Sequence, residues 1–448
     1  MPSSSTSAKN TEHDSEDTNA SGPSDNTNDN DEAQEQQDTP IPISPLKYAL
    51  KNFTSQFFLI PQGTGISAVV LHQLNYQFYG LIRISQVLWV LTIASLVGFL
   101  AIYALRTVLF PREVWKAWKT EIMETACLSC VSIAYTTIIQ MIALNLVGDW
   151  GPGWGKAAYV LWWINVVMAL LVAIVTPYVI TRLEAPGIDS VPPGILLPMI
   201  AALTVAAGGG VVCRYGALDA GLQVPVLIVS YLFVGLALPL AILVHAVVLA
   251  RLLDKGTFPQ KQSVYQLMIM CGPLGQGSFA LQILGQCVQR GAFAEYNEST
   301  FLSAIGASVV STSSQFLGLL VWGYGIFWWA YACIAILQHL AQGPRKALAR
   351  WDTSLSSWSL VFPWGVFTNA AIELGLILNS RAFKVWAAIL TVLLTILWLL
   401  NAGATLAGLV NGKVVGLERG WRGKYYVSGA EQEKEESERT KQKARQSE

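Results

Sequence analysis

Residues 264–288 have the sequence VYQLMIMCGPLGQGSFALQILGQCV, and no charged side chain interrupts them. The stretch is long enough to cross a bilayer, which requires about 20 residues of α-helix. Its central part contains Gly272, Pro273 and Gly275. Proline removes one intrahelical hydrogen bond and kinks a helix, and backbone groups freed inside a membrane must meet protein or a water-filled cavity. The stretch therefore predicts a kinked transmembrane helix that faces protein or water.

Comparable apolar stretches occur along most of the chain. Together they predict an all-α integral membrane protein of about ten transmembrane helices. The predicted spans are 56–76, 83–108, 124–147, 156–181, 193–215, 223–251, 264–288, 301–340, 357–379 and 382–410. The eighth is too long for one straight crossing, so it must tilt or extend beyond the membrane.

The composition agrees with lipid as the solvent. The 448 residues are 53% hydrophobic and 13% charged, whereas soluble domains have roughly 25% charged residues. No basic patch is interleaved with aromatic residues, so nucleic-acid binding has no support. The four His and six Cys are scattered, and the phosphate-binding motif GxxxxGK[ST] is absent. We therefore expect no metal, no cofactor and no intrinsic ATPase activity.

The two ends of the chain differ from its apolar middle. Residues 1–45 are polar and acidic, which predicts a disordered tail, and residues 416–448 form a second charged tail. The ten-helix domain is predicted over 46–415. Lys and Arg concentrate in the loops on one side of the predicted helices, which places both tails in the cytoplasm. Asn297 then falls in an outer loop, where its sequon is either glycosylated or unused.

Glycine and proline recur in the odd-numbered predicted helices. Because broken helices in lipid need protein or water around them, the pattern predicts that these helices line a central path. The alternative is close helix packing, which small residues also permit. The residues predicted to line the path are Gly63, Gly65, Pro198, Gly208, Gly272, Pro273, Gly275 and Pro363.

Three further residues stand out. Phe362 directly precedes Pro363, where an aromatic ring can plug a narrow conduit, although a lone aromatic residue in an apolar helix usually packs. Glu373 is acidic and lies inside the ninth span, so it is either a proton-linked or gating residue or a hydrated group near the outer helix end. Arg214 lies near a helix end, where snorkelling to the interface explains it.

Five segments occur in an order and spacing typical of one transporter family. They are NFTSQFFLIPQGTG (52–65), LWWINV (161–166), LLP (196–198), GPLGQGSFALQILG (272–285) and FPWGVFTNAAIELG (362–375). Over about residues 50–410 the chain resembles the tellurite-resistance/dicarboxylate transporter family, which includes fungal sulfite efflux pumps, yeast malate permeases and plant guard-cell slow anion channels. The resemblance implies five helical hairpins around a central pore lined by the odd helices, with Phe362 occluding it. It also implies a plasma-membrane location and, often, a homotrimer.

The resemblance implies transmembrane transport of a small anion, and GPLGQGSF is most similar to the sulfite efflux branch. The alternative substrate is malate, another C4-dicarboxylate or another organic acid, with proton coupling through Glu373. Glycine-rich kinks expose backbone N–H groups that attract anions without holding them tightly, which suits conduction. A membrane-embedded enzyme would need convergent catalytic groups, and the scattered His and nearly charge-free spans disfavour it.

The third predicted helix departs from the family pattern. Where relatives resemble HP…GTFPMG, residues 121–142 have the sequence EIMETACLSCVSIAYTTIIQMI, with Glu121 in place of the histidine. Ser129 and Ser132 replace the glycine and the proline, so we expect a straighter helix with hydroxyls facing the path. Glu373 also stands where sulfite-pump relatives tend to have glutamine. Both departures leave the substrate open between sulfite and an organic acid.

Overall fold

The computed structural model describes residues 44–188, 191–255, 263–341, 355–417 and 420–421. The predicted tails, 1–45 and 416–448, lie almost entirely outside these described residues. Regular secondary structure within the described residues is entirely helical, which confirms the predicted all-α class.

Ten long helices of the described chain form the membrane part. Their bounds are α1 Leu59–Gln73, α2 Leu81–Leu109, α3 Ile122–Trp150, α4 Gly153–Val179, α5 Leu197–Tyr215, α6 Ala220–Lys255, α7 Gly272–Gln289, α8 Ala304–Ala341, α9 Val361–Ile377 and α10 Arg381–Val410. Nine of these described helices are long and apolar enough to cross a bilayer. The shorter α1 continues from a 3-10 turn, Ser55–Phe58, which lengthens it. The chain is therefore a multi-pass membrane protein.

The odd-numbered helices are buried, whereas the even-numbered helices are largely exposed. Within an apolar stretch of 18 residues in each span, the fraction of residues that are buried is 72% in α3, 94% in α5, 100% in α7 and 89% in α9. In the even-numbered helices, the buried fraction is only 22% to 33%. Most residues of α1 are buried as well. The odd helices thus form an inner layer, and the even helices present Leu, Ile and Val side chains outward, as a lipid environment requires.

The five inner helices form a closed ring. Helix α1 packs against α3, α3 against α5, α5 against α7, α7 against α9, and α9 returns to α1. Each even helix forms a hairpin with the odd helix before it and also contacts the next odd helix in the ring. Because consecutive helices of hairpins alternate in direction, all five inner helices run parallel. Their N-terminal ends lie at one mouth of the ring, the N-terminal mouth, and their C-terminal ends lie at the other, the C-terminal mouth.

The prolines of the inner helices do not kink them near the middle, contrary to prediction. Four of these helices begin with a 3-10 turn: Ser55–Phe58, Pro193–Leu196, Leu267–Cys271 and Leu355–Leu360. The first turn of the α-helix that follows contains Pro61, Pro198, Pro273 and Pro363, respectively. A proline there removes no α-helical hydrogen bond, because first-turn N–H groups have no intrahelical partner. Each proline instead marks the change from 3-10 to α-helical winding.

The straighter course of helix α3 stays a prediction, but its α-helical hydrogen bonding has one interruption. Its α-helical run stops at Leu128 and resumes at Ser129. The Glu124 carbonyl accepts a hydrogen bond from Ser55 Oγ at 2.6 Å, while the Leu128 N–H is directed to the Ala126 carbonyl. A side chain that inserts into the main-chain ladder interrupts a helix, so α3 breaks here without proline or glycine.

Candidate functional site

A glycine lies at every junction of the inner ring. A Cβ atom built on any of these glycines would come within 3 Å of the neighbouring inner helix. The pairs are Gly65 with Thr137, Gly208 with Thr136, Gly272 with Ile200, Gly275 with Phe367, and Gly365 with Ile66. Gly63 is similarly close to Val361 of α9, at 3.1 Å. These contacts support the close-packing interpretation, and a lining role for the main chain of these glycines stays a prediction.

Replacing Gly275 by alanine should destabilise the protein by about 1–3 kcal/mol, the usual cost of overpacking. The new methyl group would lie 2.6 Å from the main-chain N of Phe367, which cannot rotate away as a side chain would. The matched control is Gly235→Ala in α6, because no atom beyond its own stretch of helix backbone lies within 4 Å of its Cβ position among the described residues. Thermal unfolding in detergent measures both variants, and equal melting temperatures would contradict a tight α7–α9 junction.

Phe362 is the second residue of α9 and is only 1% exposed. Three inner helices converge beside it, since a Cβ atom on Gly272 of α7 would lie 2.8 Å from Ile200 of α5 and 3.7 Å from Pro363 of α9. A side chain that blocks the ring and a side chain that only packs between helices would be equally buried, so burial does not distinguish the two roles. The gate role of Phe362 therefore stays a prediction.

Glu373 is buried in an ion pair. Arg214 Nη1 of α5 lies 2.5 Å from Glu373 Oε1, and Gln286 Nε2 of α7 donates to the same oxygen. The Glu373 and Arg214 side chains are 3% and 9% exposed. The guanidinium of Arg214 also lies over the Tyr215 ring, 5.2 Å from its centroid. Glu373 does lie near the end of its helix, but it is buried and paired rather than hydrated. Snorkelling to the interface does not explain the buried Arg214, and a coupling role for Glu373 stays a prediction.

A second buried carboxylate, Glu124, lies at the N-terminal mouth and was not singled out from the sequence. Its Oε1 accepts from Arg106 Nη1 at 2.5 Å and from the Tyr103 hydroxyl at 3.1 Å. Ser55 donates its N–H at 2.7 Å and its hydroxyl at 3.0 Å to Oε2. The cluster joins α2, α3 and the 3-10 turn before α1. A sequence signal existed, because Glu124 opens the third predicted span and Arg106 lies near the end of the second.

A cleft of about 330 Å³ opens beside this cluster. It is lined by Lys51, Asn52, Thr54, Arg106, Glu113, Lys116, Ala117, Thr120 and Glu121. Lys51 Nζ pairs with Glu113 Oε1 at 3.0 Å. Burial and the nearby Glu124 carboxylate raise the pKa of Glu121 above its ordinary value. The cleft thus has mixed charge, with cations and carboxylates side by side.

Uncharged polar side chains from the inner helices are further candidates for the path. Six of them have a buried oxygen without a hydrogen-bond partner among the described residues, namely Gln62, Gln73, Ser129, Gln276, Gln282 and Asn369. The oxygen and nitrogen of an amide are assigned rather than observed, so each amide offers either a donor or an acceptor at that place. Ser132, by contrast, donates at 2.8 Å to Asn165 of the outer helix α4. Its expected orientation toward the path is therefore wrong.

Residues 52–406 match the family described as SLAC1, voltage-dependent anion channel. The chain belongs to this family. The sulfite efflux pump SSU1 of Arthroderma otae is 29% identical over 352 residues, which cover 79% of this chain and 89% of that protein. The malic acid transport protein of Schizosaccharomyces pombe is 24% identical over 363 residues, which cover 80% of this chain and 79% of that protein. The predicted family is confirmed, and its members are channels and transporters.

In a member of an anion channel family, the charges around the ring determine how the ring interacts with an anion. The N-terminus of an α-helix carries a partial positive charge of about half a unit, and five such termini lie at the N-terminal mouth. Each of the buried carboxylates described above is paired with an arginine. An anion in the ring would therefore meet positive helix ends and polar groups, with the buried negative charges already neutralised.

Asn297 lies between α7 and α8, directly after the short helix Ala292–Tyr296. It is exposed, and its φ of 46° is a left-handed conformation that asparagine tolerates. The sequon is therefore accessible, and its glycosylation stays a prediction.

Proposed function

We propose that this protein exports a small anion, sulfite in particular, along the axis of the inner ring. The observation that carries the proposal is the parallel arrangement of the five inner helices. Their N-terminal ends lie together, and helix N-termini attract anions through their dipoles and free N–H groups. Entry at the N-terminal mouth is thereby favoured for anions over cations.

The proposed direction follows from the predicted orientation. The N-terminal mouth lies on the side where Lys and Arg concentrate, which is cytoplasmic by the positive-inside rule. An inside-negative potential contributes about 2.3 kcal/mol per charge per 100 mV, so outward anion flux needs no ATP. We place the protein in the plasma membrane with both termini in the cytoplasm, and a homotrimer stays a prediction.

Sulfite is favoured as the substrate by the similarity to sulfite efflux pumps of two Arthroderma species. The polar side chains of the inner helices fit such a substrate, because amide and hydroxyl groups bind an anion weakly. Weak binding suits conduction, since an ion that is held strongly would not leave.

Anion flux in proteoliposomes tests the proposal. The purified full chain is reconstituted, and sulfite, malate and chloride fluxes are compared under an imposed potential. We expect the largest flux with sulfite. A preference for malate would replace sulfite by the second candidate, and the absence of any anion flux would contradict transport itself.

Malate is the second candidate, favoured by the similarity to the malic acid transport protein of S. pombe. In this alternative, Glu373 couples proton movement to organic-acid transport. Uptake of labelled malate that collapses in Glu373→Gln would support the coupling. Malate uptake that is independent of pH and unchanged in this variant would contradict it.

A further inference from the structure

The Arg214–Glu373 ion pair joins two inner helices that are not neighbours in the ring. Helix α5 packs between α3 and α7, whereas α9 packs between α7 and α1. The pair must therefore pass α7 on one side or the other. Gln286, which lies in the last turn of α7, contacts Glu373 within the same cluster, so the pair does not pass over the end of that helix. The outer side of α7 is occupied by α6 and α8, which leaves the inside of the ring.

This cross-ring pair lies near the C-terminal mouth. Arg214 is the next-to-last residue of α5, and Glu373 lies about one turn before the end of α9. At the same end, α1 finishes with Gln73, whose amide oxygen and nitrogen are buried without partners among the described residues. Polar groups from four of the five inner helices are thus collected at this mouth.

Arg214 retains a donor that the protein does not use. Its Nη1 contacts Glu373, but its Nε is buried and has no partner within the described chain. A buried N–H without an acceptor is unfavourable, and an anion in the ring would supply one. The planar fork of a guanidinium matches two oxygens of one oxyanion, whereas a monatomic ion accepts from a single point.

We propose that the Arg214–Glu373 pair is the charge filter of the anion path and that it favours oxyanions over chloride. Arg214 binds the oxyanion as it crosses the ring. The Glu373 carboxylate competes with the oxyanion for the Arg214 guanidinium and so keeps this binding weak. The proposal rests on the proposed function, because it assumes that anions cross the ring. It adds a named binding residue, a named competitor and a class of substrate.

Currents of the reconstituted full chain in planar bilayers test the filter, with sulfite and chloride as the permeant ions. In Glu373→Gln, the half-saturating sulfite concentration should fall about tenfold and the maximal current should also fall, because Arg214 has lost its competitor. In Arg214→Gln, the anion-to-cation permeability ratio should fall about tenfold, because the path keeps only the negative charge of Glu373. Reversal potentials in a salt gradient give this ratio.

The double variant Arg214→Gln with Glu373→Gln guards against misfolding of the single variants. It removes both charges and keeps polar amide side chains at both positions, and it should lose the preference for sulfite over chloride. The matched control is Lys384→Gln in the outer helix α10, which removes a positive charge whose amine donates to Asn379 at an exposed contact. That control should keep the half-saturation and the reversal potential of the parent.

The outcomes separate the filter from the proposed function. If the parent conducts anions and the Arg214 and Glu373 variants keep its half-saturation, its permeability ratio and its sulfite preference, the filter is overturned. A collapse of current in Glu373→Gln without tighter half-saturation would also overturn it, in favour of coupling. If the parent conducts no anion, the proposed function itself fails.

Discussion

A Glu124→Ala variant should be about 3–5 kcal/mol less stable than the parent, which is the usual cost of leaving one buried charge without its partner. Arg106 is only 6% exposed, so its guanidinium would stay buried and lose the carboxylate. The remaining hydrogen bond, from Arg106 Nε to the Lys51 carbonyl at 3.1 Å, does not neutralise the charge. The main-chain N–H of Ser55 would lose its acceptor as well.

The matched control for this variant lies at the same mouth. Glu113 pairs with Lys51 but is 45% exposed, and exposed pairs contribute about 0–1 kcal/mol. Glu113→Ala should therefore change stability little. Unfolding of both variants in detergent, followed by heat or denaturant, measures the difference. A loss of less than about 1 kcal/mol in Glu124→Ala would contradict the view that its cluster holds α2, α3 and the entry to α1 together.

A Phe362→Ala variant should conduct about tenfold more anion at rest than the parent, because a ring that blocks a narrow apolar constriction would be removed. Phe362 is buried where α5, α7 and α9 converge. Its removal therefore opens space between inner helices rather than at the protein surface. Steady-state current or sulfite efflux from proteoliposomes measures it.

Phe367 offers a control in the same helix. It is also fully buried, but its ring stacks on Trp322 of the outer helix α8, with centroids 4.9 Å apart and an interplanar angle of 4°. Phe367→Ala should therefore destabilise the protein, as large-to-small core substitutions do, without raising flux. Unchanged flux in a folded Phe362→Ala protein, or an equal rise in both variants, would assign Phe362 to packing.

Much of the fold could be predicted because membrane insertion depends on local composition. The predicted fifth span, 193–215, coincides with the observed Pro193–Tyr215, and the predicted tenth, 382–410, differs from Arg381–Val410 by one residue. An apolar stretch of sufficient length is driven into lipid whatever its neighbours are. The recurrence of glycine likewise indicated that the odd-numbered helices are the inner ones. Glycine-rich helices in a membrane are stable where they pack closely against other helices or line a water-filled cavity.

Local winding was harder to predict than the spans. Pro363 indicated a kink, but the preceding 3-10 turn places it in the first turn of α9, where it breaks no hydrogen bond. Ser129 and Ser132 indicated a straighter α3, yet a hydroxyl from Ser55, far away in sequence, interrupts that helix. Such effects depend on partners that helix periodicity does not encode.

The sequence by itself determined the class of the protein, its spans and its family, because these follow from hydrophobicity and from ordered motifs. Only the tertiary structure decided which charges meet. Arg214 and Glu373 are 159 residues apart, and Ser55 and Glu124 are 69 residues apart. Nothing in the local sequence around these residues names their partners. Closure of the five-helix ring brings the partners together, because burial in a low-dielectric interior is tolerated only when opposite charges are paired.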